Sequence, residues 1–86
     1  MKFKLSKHVK EEMERRKISN SLLEIVLKQP EQIVSEYGGK KSYQSKINFG
    51  GGKIYLLRVI VDDTIEPASV ITAYYTSKIE KYWRAQ

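Results

Sequence analysis

The sequence predicts an α+β domain: two N-terminal helices packed on a four-stranded antiparallel sheet, followed by a short C-terminal helix. Three observations carry this. Apolar residues recur at helical spacing through the first third; from Glu31 onward they alternate or run in short blocks; and glycines punctuate that second part at hairpin spacing.

Ser6 as N-cap starts a first helix near Lys7 that runs to Lys17. At about 100° per residue, Leu5, Val9 and Met13 share a narrow apolar arc, while Lys7, Lys10, Glu11 and Glu14 lie opposite, toward water. Arg16 falls inside the apolar arc and Glu12 and His8 at its border, so these three line the contact with a neighbouring element. Arg16 can snorkel past the rim and pair with Glu12 at i, i+4. In "ISNSLLEIVLKQP", Ser21 and Glu24 stand at capping-box spacing, Leu22, Leu23, Val26 and Leu27 form a core face, and Pro30 stops the second helix.

In "EQIVSEYGGKKSYQSKINF", Gly38-Gly39 reads as a two-residue hairpin turn between extended segments. "NFGGGKIYLLRVIV" is a second hairpin, and "DDTIEPAS" leads to a last strand, "SVITAYY". Ile79, Tyr82 and Trp83 at i, i+3, i+4 then predict a short closing helix or a wrapped tail. Gly50-Gly51-Gly52 is turn chemistry: a phosphate loop runs from a strand into a helix, and this triplet runs from strand to strand.

If Phe49 pairs with Lys53 and Val61 with Ser69, the two-residue period assigns each side chain to a face. One face carries Tyr43, Ile47, Phe49, Tyr55, Leu57, Val59, Val61, Ile71, Ala73 and Tyr75, a wall to lie under the helices. The other carries Gln44, Lys46, Asn48, Arg58, Thr72 and Tyr74 among Ile54, Leu56, Ile60 and Val70. That register sets Gln44, Arg58 and Thr72 in one cross-strand row and Lys46, Leu56 and Tyr74 in the next. Arg58 sits inside the apolar run Ile54 to Val61, and a central guanidinium meets an anion, either from the protein or from a ligand.

The 86 residues suit one domain, spanning 1–86. Without cysteine there is no disulfide, no thiolate zinc site and no cysteine nucleophile. Sixteen Lys and Arg against ten Asp and Glu give a net charge of +6, a field that favours RNA, DNA or an acidic protein, or that serves solubility alone. No apolar run reaches the ~20 residues of a membrane span, and "MKFKLSKH" has no secretory apolar middle, so the sequence reads as cytoplasmic.

With one histidine, and with Asp62-Asp63 placed in a turn, no metal site is expected, and neither a serine triad nor a carboxylate pair stands out. No cofactor is expected. Positive charge, hydroxyls and one imidazole suit metal-free RNA cleavage: a base takes the ribose 2′-OH proton, cations stabilise the phosphorane, and an acid protonates the leaving 5′-oxygen. His8 is the candidate base or acid. Arg16, Lys46 and Arg58 are candidates to hold phosphate, and Thr72, Tyr74 or Tyr75 to orient it or stack a base. A lone histidine is also commonly a structural or merely exposed residue.

"SKHVKEEMERRKIS", the leucine-rich helix ending in "KQPEQIV", the apolar strand with its internal arginine, and "VITAYY" together resemble a family of small bacterial proteins of uncharacterised function. That family lies within the barnase, EndoU, colicin and RelE (BECR) nuclease superfamily. The positions that carry the likeness are Ser6, His8, Arg16, Ile18 and Ser19 at the front, and Arg58, Ile71, Thr72 and Tyr74 near the end. The resemblance implies a single RelE-like domain and a metal-independent endoribonuclease, the toxin of a toxin-antitoxin pair. Its catalytic set would be His8, Arg16, Arg58 and Thr72, with Gln44, Lys46, Tyr74 and Tyr75 binding RNA. The implied partners are RNA, including ribosome-bound mRNA, and an antitoxin protein. Glu12 departs from the pattern, standing where an arginine is frequent: there it either pairs with Arg16 and weakens phosphate binding, or orients His8. A non-catalytic RNA-binding or protein-interaction module on the same scaffold is the alternative, and a mobile-element accessory protein docking an acidic partner is a third.

Overall fold

The computed structural model describes residues 2–85. It is an α+β domain, but its sheet has five strands and is mixed. In chain order the elements are β1 (Phe3–Leu5), α1 (Lys7–Arg15), α2 (Asn20–Lys28), β2 (Gln32–Ser35), β3 (Lys41–Asn48), β4 (Ile54–Asp62), β5 (Ala68–Thr76) and α3 (Ile79–Tyr82), with a helical turn at Tyr37–Gly39 between β2 and β3. The strands lie in the order β1-β5-β4-β3-β2. The last four are antiparallel, as the alternation predicts; β1 adds a parallel strand against β5, pairing Phe3 with Ala68 and Leu5 with Val70.

Each helix follows from its ends and its stripe. Ser6 Oγ accepts from the Val9 N–H and caps α1, whose Val9 and Met13 are buried one turn apart. The helix closes in a Schellman turn: Ile18 N–H reaches the Met13 carbonyl at 2.8 Å and Lys17 N–H reaches Glu14 at 3.2 Å, with Lys17 left-handed at φ 58°. That turn drops Ile18 into the core beside Met13. The cap of α2 is Ser19, whose Oγ accepts from Leu22 N–H, and not Ser21; the helix therefore starts earlier than the capping-box spacing implies. Leu23, Val26 and Leu27 of α2 meet Tyr43, Leu57, Val59, Val61 and Ala73 of the sheet, and this is the main core.

The β3–β4 register is the expected one: Gln44 faces Arg58, and Lys46 faces Leu56. Gly50, Gly51 and Gly52 all take positive φ, a run of left-handed residues that only glycine tolerates cheaply. Between β4 and β5 the expected register fails. A bulge at Ile60/Val61 pairs Val61 with Val70, while Arg58 faces Tyr74 and Ile60 faces Thr72. The inserted residue turns Val70 into the core and leaves Ile71 40% exposed, the reverse of the symmetric pairing. The Gly38-Gly39 turn is also longer than two residues. Ser35 pairs with Lys41, and the intervening loop brings Glu36 back over the sheet.

Candidate functional site

On the face away from the α1–α2 core, the pairings align Gln32, Gln44, Arg58 and Tyr74 in one row across β2, β3, β4 and β5. The adjacent row runs Val34, Ser42, Ile60 and Thr72, about 7 Å away by the strand repeat. Two polar networks occupy these rows, and they bring together most of the residues singled out in the sequence.

The first network joins α1 to β5. Because β1 pairs only as far as Val70, the rest of β5 beyond it has no β1 partner, and α1 packs against that strand. His8, Glu12 and Arg16, spaced four apart, stack on one side of the helix. Glu12 is the hub: its Oε2 lies 3.3 Å from His8 Nε2, and its Oε1 lies 3.5 Å from Arg16 Nη1 and accepts from the Thr72 hydroxyl at 2.9 Å. Arg16 Nη1 also donates to Thr72 Oγ1 at 3.2 Å and to the Ala73 carbonyl at 2.8 Å. Glu12 thus does both things the sequence left as alternatives, pairing with Arg16 and fixing His8. The His8 side chain is 72% exposed and that of Arg16 41%. Imidazole and guanidinium therefore face solvent over a shielded carboxylate, and the site is open to a ligand.

The Thr72 hydroxyl, foremost, and then the Arg16, His8 and Arg15 charges hold the Glu12 carboxyl below its ordinary value of 4.5, against the opposing effect of desolvation. A carboxyl depressed by folding stabilises the fold above its unfolded value, and that contribution disappears as pH falls through the folded one. The difference in thermal midpoint between the native chain and Glu12→Gln is therefore expected to shrink as pH is lowered through the acid range below the ordinary carboxyl value. A difference that stayed flat across that range would show that Glu12 gains nothing from these partners.

The second network surrounds Arg58. The sequence expectation put His8, Arg16, Arg58 and Thr72 in one open set; in the structure Arg58 is only 2% exposed and belongs to a separate, covered cluster. Its Nε donates to Gln44 Oε1 at 2.9 Å, its Nη1 to the Tyr74 hydroxyl at 2.6 Å, and its Nη2 pairs with Glu36 Oε1 at 3.2 Å. The Tyr82 ring of α3 lies over the guanidinium, 4.1 Å away. The anion that Arg58 meets here is the protein's own. Gln44, fully buried, also accepts from Ser42 Oγ and donates to Gln32 Oε1 and the Tyr82 carbonyl. Lys46 lies one row further on, its Nζ 4.1 Å from the Trp83 ring.

Tyr75 is on the other side of the sheet. Its ring packs edge-on against Phe49 and its hydroxyl donates to the Lys17 carbonyl, so it does not share a face with Tyr74; burial raises its pKa above the ordinary tyrosine value. Sequence reasoning missed Glu36 and Tyr82 as partners of Arg58. Nothing in a two-residue hairpin reading brings Glu36 near β4, and the Ile79, Tyr82, Trp83 spacing marks a helix without saying where it docks. Among the described residues, no group of three or more His, Asp or Glu side chains is placed to hold a metal ion, and no helix is long and apolar enough to cross a membrane.

Comparison with known proteins adds a family. No curated protein and no solved structure matches the chain. Residues 5–75, which hold α1, α2, β2, β3, β4 and all but the last residue of β5, match the model of a family described as Domain of unknown function (DUF4258), and the chain belongs to that family.

Proposed function

We propose that the chain is a metal-independent endoribonuclease of the RelE-like type, the toxin of a toxin-antitoxin pair, and that His8, Glu12, Arg16 and Thr72 form its reactive site. The single observation that carries this is the solvent-facing imidazole held at 3.3 Å by a carboxylate that also grips a guanidinium. A base, a group that orients it, and a cation within one side chain's reach are the parts that general-base attack on a phosphodiester needs.

Glu12 engages His8 through Nε2, which leaves Nδ1 to take the 2′-OH proton of a bound ribose. The 2′-oxygen bonds to phosphorus, the P–O5′ bond breaks, and the 5′-oxygen leaves with a proton from the imidazolium or from water. The products are a 2′,3′-cyclic phosphate and a 5′-hydroxyl end. Arg16 faces the phosphorane through Nε and Nη2, which make no hydrogen bond or ion pair among the described residues. Thr72 fixes Glu12 and Arg16 together and positions the site without touching the reacting atoms.

The test is cleavage of single-stranded or ribosome-bound RNA by the purified chain in excess EDTA, with cutting expected. A second reading, a non-catalytic RNA-binding module, is favoured by one observation: Arg58, the most central cation of the sheet, is spent on Glu36 and Tyr82. RNA bound but left intact under both conditions would select it.

A further inference from the structure

We propose that residues 78–84 form a displaceable strap over a second RNA-binding floor, and that a single-stranded RNA segment takes the strap's place on Arg58, Gln44, Gln32 and Lys46. This rests on RNA being the ligand, as argued above, but not on its being cleaved.

The row Gln32, Gln44, Arg58 is 5%, 0% and 2% exposed, an unusual amount of polar burial for so small a sheet face. Part of it is directed at the strap, the rest being bonds within the row and to Ser42, Tyr74 and Glu36. Gln32 accepts from the Arg84 N–H at 3.1 Å and donates to the Arg84 carbonyl; Gln44 donates to the Tyr82 carbonyl at 3.1 Å. Arg58 and Lys46 each lie 4.1 Å from an aromatic ring, Tyr82 and Trp83 respectively. The floor therefore presents two amides that read backbone acceptors and donors, and two cations that take flat rings.

Those are the contacts a single strand of RNA offers. Its phosphate oxygens and base carbonyls accept where the strap's carbonyls do, and its bases stack on cations where Tyr82 and Trp83 do. The strap itself is weakly held. The helix α3 is a single turn, far below the length at which a helix stands alone, and it contains no buried residue. It also lies beyond Tyr75, the last residue the family model matches. The floor's row ends at Tyr74, one row from Thr72, whose hydroxyl bonds to Glu12 and Arg16, so the floor adjoins the row that carries the first network. A competent state populated only in part weakens apparent binding by that fraction, so loosening the strap should tighten binding.

The experiment uses the full chain and a short fluorescein-labelled 2′-O-methyl RNA, which lacks the hydroxyl needed for cleavage. Binding is read by anisotropy, and the strap by the emission of Trp83, the sole tryptophan. Tyr82→Ala is expected to bind about tenfold more tightly than the native chain. The gain should vanish in Tyr82→Ala combined with Arg58→Met, and RNA should shift Trp83 emission of the native chain to the red. Should Tyr82→Ala fail to unfold cooperatively, Trp83→Ala, which removes the strap's ring from Lys46 and leaves every floor residue in place, replaces it in the anisotropy measurement with an expected gain of about threefold. Binding no tighter in either variant, or a gain that survives Arg58→Met, overturns the proposal. Because this probe cannot be cut, cleavage of ordinary RNA without a strap effect removes the strap alone, and a strap effect without cleavage removes the nuclease reading alone.

Discussion

His8→Ala is expected to slow RNA cleavage by roughly 10²- to 10⁴-fold, the usual worth of a positioned general base, while leaving the fold intact. The second half of that expectation comes from exposure. The imidazole is 72% exposed and touches Glu12 without entering the core, so its loss leaves no cavity. Glu12→Gln separates orientation from proton transfer: it keeps the shape of the hub but removes the charge that fixes His8 and Arg16, so it should slow cleavage less than His8→Ala and alter the pH profile of the rate. Cleavage and unfolding measured on the same preparations check both. If His8→Ala cuts at the native rate while Arg16→Ala does not, the imidazole is not the proton carrier.

Gln44→Leu is expected to destabilise the chain by about 3 kcal/mol or more. One amide satisfies four neighbours: its oxygen accepts from Ser42 and Arg58, and its nitrogen donates to Gln32 and Tyr82. Leucine fills a similar volume but leaves the Arg58 Nε–H, the Ser42 hydroxyl and the Tyr82 carbonyl without that partner in a region sealed from water, and each buried orphan costs about 1–3 kcal/mol. A small domain of this kind has only about 5–10 kcal/mol in total, so the urea midpoint should fall by a third or more. A loss under about 1 kcal/mol would show that water already reaches this row.

The contrast between these residues shows what the sequence could carry. Both helices, the Ser6 cap, the triple-glycine turn and the whole β3–β4 register are local matters of period and turn chemistry, and each is legible from neighbours in the chain. The β5 register is not. A bulge inserts a residue that no alternation announces, and it moves Tyr74 opposite Arg58 where symmetric pairing puts Thr72. That single step decides the site, because it frees Thr72 for Glu12 and Arg16. The parallel strand β1 was illegible for a different reason: three residues are too few for a period, and their partner lies more than sixty residues away. The double role of Glu12 is legible, since i, i+4 spacing from both His8 and Arg16 allows both contacts at once. The burial of Arg58 depends on Glu36 and Tyr82, which reach it through a loop and a tail whose docking no local pattern specifies.

The most direct measurement is the chemistry of the ends left when the purified chain meets single-stranded RNA in excess EDTA. Attack by the ribose hydroxyl under imidazole control requires 2′,3′-cyclic phosphate and 5′-hydroxyl termini, and the account expects these from the native chain and a strongly reduced yield from His8→Ala. Intact RNA, or fragments ending in 3′-hydroxyl and 5′-phosphate, would contradict it.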